Sequence, residues 1–284
     1  SNGFGLYYPY DANTEDELPT YYFRGAVQNN HVKFGGFYWR IIRINEDGSV
    51  RLIYQGTSAT SSVAMAAIGT THFHNTDFSN AYVGYMYGNP SGTTYLTVHA
   101  NTNSSVIKQK IDTWYQNNLT DYTSYLADAG FCGDRSLVSG SGVGTTDTYY
   151  GAYKRLETNH APQFACPQTM DLYTLTSSAK GNKSLTYPIG LITADEVMYA
   201  GSTISSGGDT YLTISYNFWT MTPYRYDTAS NFASIYRLNG SGGISRINGT
   251  YGNEDQIIRP VINIKPDVKT ISGTGTSGNP YTFS

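Results

Sequence analysis

The sequence predicts an α+β domain with short antiparallel strands, two or three helices and long loops. Strand-like runs lie towards both ends of the chain, and helical periodicity is confined to the middle. Charged residues make up 14% of the 284 residues, well below the usual share of about a quarter, while Gly (30) and Tyr (27) are abundant. This composition suits sheets whose outer faces are polar but uncharged. We divide the chain into an N-terminal leader or linker, residues 1–20, and one domain, residues 21–284.

The clearest hairpin lies in the first fifth of the chain. Phe37–Ile44 and Val50–Tyr54 are apolar, β-branched and aromatic runs, and the segment Asn45–Gly48 between them offers a turn at its Asp-Gly step. In the second run, apolar residues at every other position predict a strand with one buried face, which leaves Arg51 and Ile53 on the other face.

Three helices are expected in the middle of the chain. Asn103 or Ser104 can cap the first, because apolar residues follow at helical spacing. Its buried face carries Ile107, Ile111 and Trp114. A short helix is expected soon after it, and the capping box of Thr193 and Glu196 predicts a third helix, which Gly201 closes.

The last third of the chain returns to strand-like runs. These lie at 211–221, 234–238, 243–247, 260–264 and 281–283. Each tryptophan, Trp39, Trp114 and Trp219, has apolar neighbours at the period of its own element. Because large aromatic side chains dominate core energetics, we expect all three in one core.

Composition also restricts the partners and the compartment. A net charge of −3 gives no basic surface for nucleic acid or anionic lipid. No apolar run approaches the roughly 18–20 residues that cross a bilayer, so no membrane insertion is expected. The opening SNGFGLYYPY is not a signal peptide, and we expect either that a leader was removed before it or that the sequence begins after one. Cys132 and Cys166 are either buried free thiols or a disulfide, and the charge-poor, Tyr/Asn/Thr-rich chain favours the disulfide of an exported protein.

Catalytic and metal-binding patterns are weak. His72 and His74 with Asp77 form the best metal candidate, but no further ligands follow at a recognisable spacing, so two surface histidines are favoured. Asp195-Glu196 and Glu254-Asp255 could supply the carboxylates of a glycosidase. Helix capping explains the first pair, and a solvated or Ca²⁺-binding loop explains the second. No nucleophile motif or phosphate-binding loop is present, so we expect neither an enzyme nor a cofactor.

Several stretches of the chain together resemble one family. They are TYYFRGAVQNNHVKFGGFYWRIIRINEDGSVRLIY, GYMYG, IDTWYQNNL, FCGDRS, YPIGLITADEVMYAG, FWTMTP, IIRPVINIKPDV and GTGTSGNPYTFS. These stretches resemble uncharacterised surface proteins of gut-type Firmicutes and span about residues 20–284. The resemblance implies a C-type-lectin-like fold, related to the variable proteins of diversity-generating retroelements. The calcium-binding Glu-Pro-Asn or Gln-Pro-Asp triplet of sugar-binding lectins is missing.

The resemblance also implies a division between a framework and a displayed, hypervariable face. The framework positions are Trp219, Pro223, Arg259, Pro260 and Val261. The displayed face is residues 224–256, rich in Tyr, Asn, Ser and Arg, which suit contact surfaces. The expected ligand-binding residues are Tyr224, Tyr226, Asn231, Tyr236, Arg237, Asn239, Arg246, Asn248 and Tyr251.

These features together predict an extracellular, non-catalytic ligand-binding or adhesin module. Its expected partner is a protein or glycan on another cell or host surface, and its own location is a bacterial surface or the medium. Two alternatives remain, a phage or mobile-element receptor-binding protein and a carbohydrate-active enzyme. If residues 224–256 are only a solvated loop, the alternative binding segment lies around Tyr85 and Tyr87.

Overall fold

The structure, a computed structural model, describes residues 5–7, 19–60, 66–249 and 255–283. Its strands are β1 Gly5–Tyr7, β2 Tyr21–Arg24, β3 His31–Phe34, β4 Phe37–Ile44, β5 Val50–Gly56, β6 Thr70–Thr71, β7 Met86–Tyr87, β8 Asn103–Ser104, β9 Phe131–Cys132, β10 Leu137–Ser139, β11 Thr148–Tyr150, β12 Leu172–Tyr173, β13 Phe218–Asp227, β14 Phe232–Leu238, β15 Ile244–Asn248, β16 Gln256–Ile257, β17 Val261–Ile264, β18 Thr270–Ser272 and β19 Tyr281–Phe283. The α-helices are α1 Tyr95–Val98, α2 Val106–Asn118 and α3 Ala194–Tyr199, and a π-helical turn spans Tyr153–Thr158. The predicted α+β class is confirmed. The expected leader falls almost entirely outside the described residues.

The first sheet joins the early and late parts of the chain. The antiparallel β4–β5 hairpin lies at its centre, and β17 extends it beyond β5. On the other side of β4, β3 pairs with its first half and β2 with its end. The last strand, β19, pairs with β3 in parallel, with β18 beyond it. The predicted hairpin is confirmed, and Gly48 supplies the positive φ of 79° that its turn requires.

The second sheet carries the predicted contact residues. Its main path is β10-β11-β13-β14-β15, all antiparallel, and β16 joins β13 in parallel. The strand predicted at 211–221 is wrong at both ends, because β13 begins at Phe218 and continues to Asp227. The backbone before it forms turns instead of a ladder. Leu212 shows why, since its N–H donates to the Thr210 hydroxyl and its carbonyl accepts from Arg259.

One hydrophobic core lies between these elements. Trp39 and Trp219 are fully buried in it, and Trp114 is half-buried against it. The rings of Phe37, Trp39 and Tyr54 lie 5.2–6.4 Å from the ring of Trp114. We call these four residues, Phe37, Trp39, Tyr54 and Trp114, the Trp cluster. The expectation that all three tryptophans are substantially buried in one core is confirmed for Trp39 and Trp219, whereas Trp114 is only partly buried at the margin of that core.

Helix boundaries follow local capping chemistry. The hydroxyl of Ser105 accepts from the Lys108 N–H and caps α2, while the predicted caps, one and two residues earlier, pair with β7 as β8. The predicted buried face of α2 is confirmed at Ile107 and Ile111. In α3 the capping box is present as predicted, since Thr193 and Glu196 each accept from the other's backbone N–H.

Three arginines are fully buried, and each donates to backbone carbonyls of segments distant in sequence. Arg51 donates to Gly130, Arg135 to Met86, and Arg259 to Tyr54 and Leu212. The prediction that one face of β5 is exposed is wrong, because Arg51 and Ile53, which lie on that face, are both buried. The carboxylate of Glu196 in α3 lies 2.6 Å from the Arg51 Nε and covers that face. A buried charge needs such a partner.

Candidate functional site

Six of the nine predicted contact residues lie on three adjacent strands, β13, β14 and β15. Tyr226 lies opposite Ala233 near the β13–β14 turn, and Tyr236 lies opposite Arg246 on β15. Asn231 occupies that turn with a positive φ of 57°. The displayed segment is therefore mostly sheet, and the β13–β14 register shifts between Pro223 and Arg225, at Tyr224.

Two of the predicted contact tyrosines are fully buried. The hydroxyl of Tyr226 donates to Asn231 Oδ1 at 2.5 Å, and the hydroxyl of Tyr236 donates to Glu157 Oε1 at 2.9 Å. Burial raises the pKa of both phenols, so both stay protonated at neutral pH. Of these two side chains, Tyr236 contacts the ring of Tyr224, with ring centroids 5.3 Å apart.

Three further predicted residues act within the sheet. Asn239 Oδ1 accepts from the N–H groups of Ser241 and Gly243, which closes the β14–β15 turn. Arg237 donates from Nε to Ser245 Oγ at 3.1 Å, and also binds Gln256 Oε1. The backbone of Asn248 pairs in β15, but its side chain and the whole of Tyr251 lie outside the described residues.

The remaining predicted residues, Tyr224 and Arg246, belong to a half-exposed group that we call the Tyr–Arg face. Its members are Tyr149, Tyr153, Tyr224, Arg225 and Arg246. The rings of Tyr149 and Tyr153 are 4.4 Å apart, and the ring of Tyr224 lies within 5.9 Å of both. The Arg225 guanidinium lies 5.0 Å from the Tyr149 ring, and that of Arg246 lies 4.9 Å from the Tyr224 ring. Each ring thus contacts a second ring, and Tyr149 and Tyr224 are also each covered by a cation.

Glu157 anchors this face from below. Its carboxylate accepts two hydrogen bonds from Arg246 and one from the buried Tyr236. The hydrogen bond from Arg246 raises the pKa of that guanidinium, which keeps its charge permanent. Arg225 has its own acidic partner, Asp227, at 2.5 Å. The two cations are therefore balanced by two carboxylates, and the face is close to neutral.

The Tyr224 hydroxyl stays a hydrogen-bonding group over the physiological range. Burial, which outweighs the opposing effect of Arg246, raises the pKa of Tyr224 to about 12. The side chain is half-exposed, so one part of the ring faces solvent while the other contacts Tyr236. Such a group can donate to or accept from a ligand without changing its charge.

Sequence reasoning missed four residues of this region, namely Tyr149, Tyr153, Glu157 and Arg225. The first three lie at i, i+4 and i+8 in the run TYYGAYKRLE, far from residues 224–256 in sequence. The clustering of tyrosines there was the available signal. Only the pairing of β11 with β13 brings this run beside Tyr224.

The predicted histidine pair does not converge on one point. His72 Nδ1 lies 3.2 Å from Asp255 Oδ1, whereas His74 Nε2 donates to the Gly84 carbonyl at 2.8 Å. The expectation of two surface histidines is wrong for His74, which is buried and packs against aromatic rings. Burial lowers its pKa to about 4. No cluster of three potential metal ligands occurs in the part of the chain that the structure describes, and Asp77 is buried apart.

The predicted carboxylates are held by arginines. Asp195 accepts two hydrogen bonds from Arg155, and Glu196 lies 3.0 Å from Arg43 and 2.6 Å from Arg51. The arginines, led by Arg51, outweigh the effect of burial and hold the pKa of Glu196 below its usual range. Of the second pair, Glu254 lies outside the described residues.

The alternative segment around Tyr85 and Tyr87 is mostly internal. Tyr85 is fully buried against the ring of Tyr173, and Tyr87 packs on His74 and Tyr82. Little of its aromatic surface therefore faces solvent.

Cys132 and Cys166 form a disulfide, with their Cα atoms 5.4 Å apart. The prediction of a bond is confirmed, and the alternative of two free thiols is wrong. The bond closes the segment 133–165, which supplies Tyr149, Tyr153 and Glu157 to the Tyr–Arg face. It thus ties that segment to the rest of the fold.

Comparison with known proteins gives no relative. No family model matches the chain, and neither a curated protein nor a solved structure matches it. The likeness to C-type-lectin-like surface proteins therefore stays a prediction from the sequence. Among the described residues, none of the helices has the length and apolarity needed to cross a membrane.

Proposed function

We propose that this protein is an extracellular, non-catalytic ligand-binding module of the adhesin type, and that it contacts its ligand through the Tyr–Arg face. The observation that carries the proposal is the preorganised group of half-exposed rings and guanidinium groups on β11, β13 and β15. Rings that are already fixed lose little conformational entropy when a ligand binds. Tyrosine and arginine are also the residues in which binding energy concentrates.

The charge balance of the face indicates what kind of surface it fits. Glu157 and Asp227 neutralise Arg246 and Arg225, so long-range attraction of a highly charged partner is weak. Stacking and hydrogen bonding remain, which suit a polar protein surface or a glycan. On the predicted C-type-lectin-like framework, the members of this face within residues 224–256, namely Tyr224, Arg225 and Arg246, would belong to the segment that varies between relatives.

The proposed extracellular location rests on the disulfide and the composition. Cys132 and Cys166 are bonded, and structural disulfides persist in oxidising compartments. The low charge and the abundance of Tyr, Gly, Ser and Thr are consistent with an exported protein.

The test begins with arrays of glycans and of extracellular proteins and continues with titrations of the ligand found. Tyr224→Ala and Arg246→Gln remove one ring and one cation of the face. We expect each to weaken binding about 5- to 100-fold, which corresponds to roughly 1–3 kcal/mol for an interface anchor.

The matched control is Tyr216→Ala, because Tyr216 is 58% exposed and lies outside the Tyr–Arg face. Its affinity should equal that of the unmodified protein. Thermal melts of all three variants separate loss of contact from loss of folding. A ligand that binds both face variants with unchanged affinity would show that the contact surface lies elsewhere.

A further inference from the structure

A second candidate site is an open cleft along α2, with a volume of about 550 Å³. None of the residues that line it belongs to the Tyr–Arg face. One wall is α2 itself, the other is the segment Ile68–Thr70, and Ile258 lies between them. The volume falls in the range of small-ligand sites.

The helical wall presents uncharged polar side chains in a regular row. Gln109, Thr113 and Asn117 follow each other at four-residue intervals, so they lie on one face of α2. All three are exposed. Trp114 belongs to the neighbouring row, and its outer part lines the cleft beside them.

The aromatic part of the cleft is rigid. Trp114 is held from behind by the other rings of the Trp cluster, at 5.2–6.4 Å. The opposite wall is also fixed, because Lys110 Nζ donates to the Thr70 carbonyl at 2.9 Å and joins it to the helix. A ligand would therefore meet a surface that is already formed.

The polar side chains are also positioned in advance. Gln109 donates from Nε2 to the Ser104 carbonyl at 3.1 Å, and the Thr113 hydroxyl donates to the Gln109 carbonyl at 2.9 Å. These bonds use a donor of each side chain and orient the group. The amide oxygen of Gln109 and the lone pairs of the Thr113 hydroxyl are left as acceptors for a ligand.

The chemistry of this lining selects a class of ligand. None of the described lining residues is acidic, and the one cation, Lys110, is engaged with Thr70. A multiply charged anion would find too few cations, and a purely apolar ligand would leave the amides without partners. A pyranose ring has an apolar C–H face for an indole and hydroxyl groups that both donate and accept.

We propose that the α2 cleft is a calcium-independent binding site for neutral pyranose sugars of a glycan. The sugar ring packs on the outer part of Trp114, and its hydroxyl groups bind Gln109, Thr113 and Asn117. This site is separate from the Tyr–Arg face, and it requires no metal ion.

The first test is a titration with neutral sugars in the presence of a calcium chelator. The probes are the methyl glycosides of glucose, galactose, mannose and N-acetylglucosamine, with cellobiose, lactose and chitobiose. Intrinsic fluorescence reports on the cleft, because Trp39 and Trp219 are fully buried and Trp114 is not. We expect saturable shifts for at least one probe, and ligand-observed NMR should show the same binding.

The second test places the binding in the cleft. Thr113→Phe fills it, and Gln116→Phe adds the same ring to an exposed position of α2 that does not line it. We expect at least a tenfold loss of affinity for Thr113→Phe and none for Gln116→Phe. The double variant Gln109→Ala/Asn117→Ala should lose about tenfold or more, since it removes two hydrogen-bonding groups.

Three outcomes would overturn the proposal. The first is no binding of any probe at about 10 mM, which would put a Kd beyond the millimolar range of weak sugar sites. The second is affinity that Thr113→Phe leaves unchanged. If Tyr224→Ala removes that binding instead, the sugar belongs to the Tyr–Arg face, and the two proposals are thereby told apart. The third is tighter binding of sialyllactose than of lactose, which would contradict the neutral class.

Discussion

The Trp cluster and the Tyr–Arg face are both groups of aromatic rings in mutual contact, yet their surroundings differ. In the Trp cluster the rings contact one another at 5.2–6.4 Å and lie in or against the core. In the Tyr–Arg face, guanidinium groups lie over two of the three rings, and a carboxylate lies beneath them. The neighbours of the rings, and not their number, distinguish the core cluster from the proposed contact surface.

The difference extends to how each group is held in place. The Trp cluster is held by close packing, which is sensitive to every lost atom. The Tyr–Arg face is held by Glu157 and by a segment that the disulfide closes. Removal of a ring should therefore destabilise the first group strongly and the second weakly.

The largest expected effect is in the Trp cluster. Trp39→Ala should lower the free energy of unfolding by about 3–5 kcal/mol, because it leaves a large cavity. Trp114→Ala should cost about half as much, since this side chain is half-buried. Urea denaturation measures both. A smaller loss for Trp39→Ala than for Tyr224→Ala would reverse the comparison.

Removal of the disulfide should destabilise the Tyr–Arg face more than the Trp cluster. Replacing Cys132 and Cys166 by Ser should cost about 3–4 kcal/mol, as expected for a loop with a sequence separation of 34. Below the melting temperature, hydrogen exchange should rise in residues 148–158 before it rises in 37–44. Equal loss of protection in both segments would show that the bond stabilises the fold uniformly.

The buried imidazole of His74 gives a further test, in which stability is measured against pH. The pKa of His74 is lowered by burial from 6.5 to about 4, so the unfolded chain binds a proton that the folded chain does not. The contribution of His74 to the free energy of unfolding is fully present above pH 6.5. It falls by about 1.4 kcal/mol per pH unit as the pH drops from 6.5 to about 4. Burial shifts the pKa of His31 and His99 in the same direction.

The measurement is the unfolding free energy between pH 7 and 5, above the range in which carboxylates titrate. Over this interval the unmodified protein should lose about 2 kcal/mol more than His74→Gln. Identical slopes in the two proteins would mean that His74 is not held in its neutral form.

The smallest expected effect concerns Glu157. Glu157→Gln keeps an acceptor for Tyr236 but removes the charge that pairs with Arg246, which is 36% exposed. The expected loss of stability is about 1 kcal/mol, because exposed ion pairs contribute little. Ligand affinity at the Tyr–Arg face should fall further than stability does. A loss of several kcal/mol in the free energy of unfolding would show instead that the Glu157 carboxylate stabilises the core.

Local signals in the sequence predicted local structure well. The Asp-Gly turn, the capping box at Thr193 and the two bonded cysteines were all predicted, since each depends on a few adjacent residues or on composition. The start of β13 and the burial of Arg51 were missed. Both depend on partners that are distant in sequence, which are Arg259 for the turns before β13 and Glu196 for Arg51.

The same distinction applies to the candidate site. From the sequence, Tyr224, Arg246, Tyr226 and Tyr236 were all expected on one contact surface. In the structure Tyr224 and Arg246 are accessible to solvent, whereas Tyr226 and Tyr236 are buried. The alternation of side chains along one strand does not show which face of the sheet is covered by a second layer. Here Glu157, from a turn 79 residues away in sequence, covers Tyr236.

The buried arginines have a consequence for the order of folding. Arg51 binds a carbonyl 140 residues away, Arg43 binds a carboxylate 153 residues away, and Arg259 binds the Tyr54 carbonyl across 205 residues. Contacts between residues so distant in sequence close slowly, so the segments that these arginines hold should become ordered late. The transition state for folding should therefore contain the β4–β5 hairpin paired with β17, while the loops around Gly130 and Leu212 become ordered only after the barrier. Substitutions at these arginines would then speed unfolding and leave the folding rate nearly unchanged.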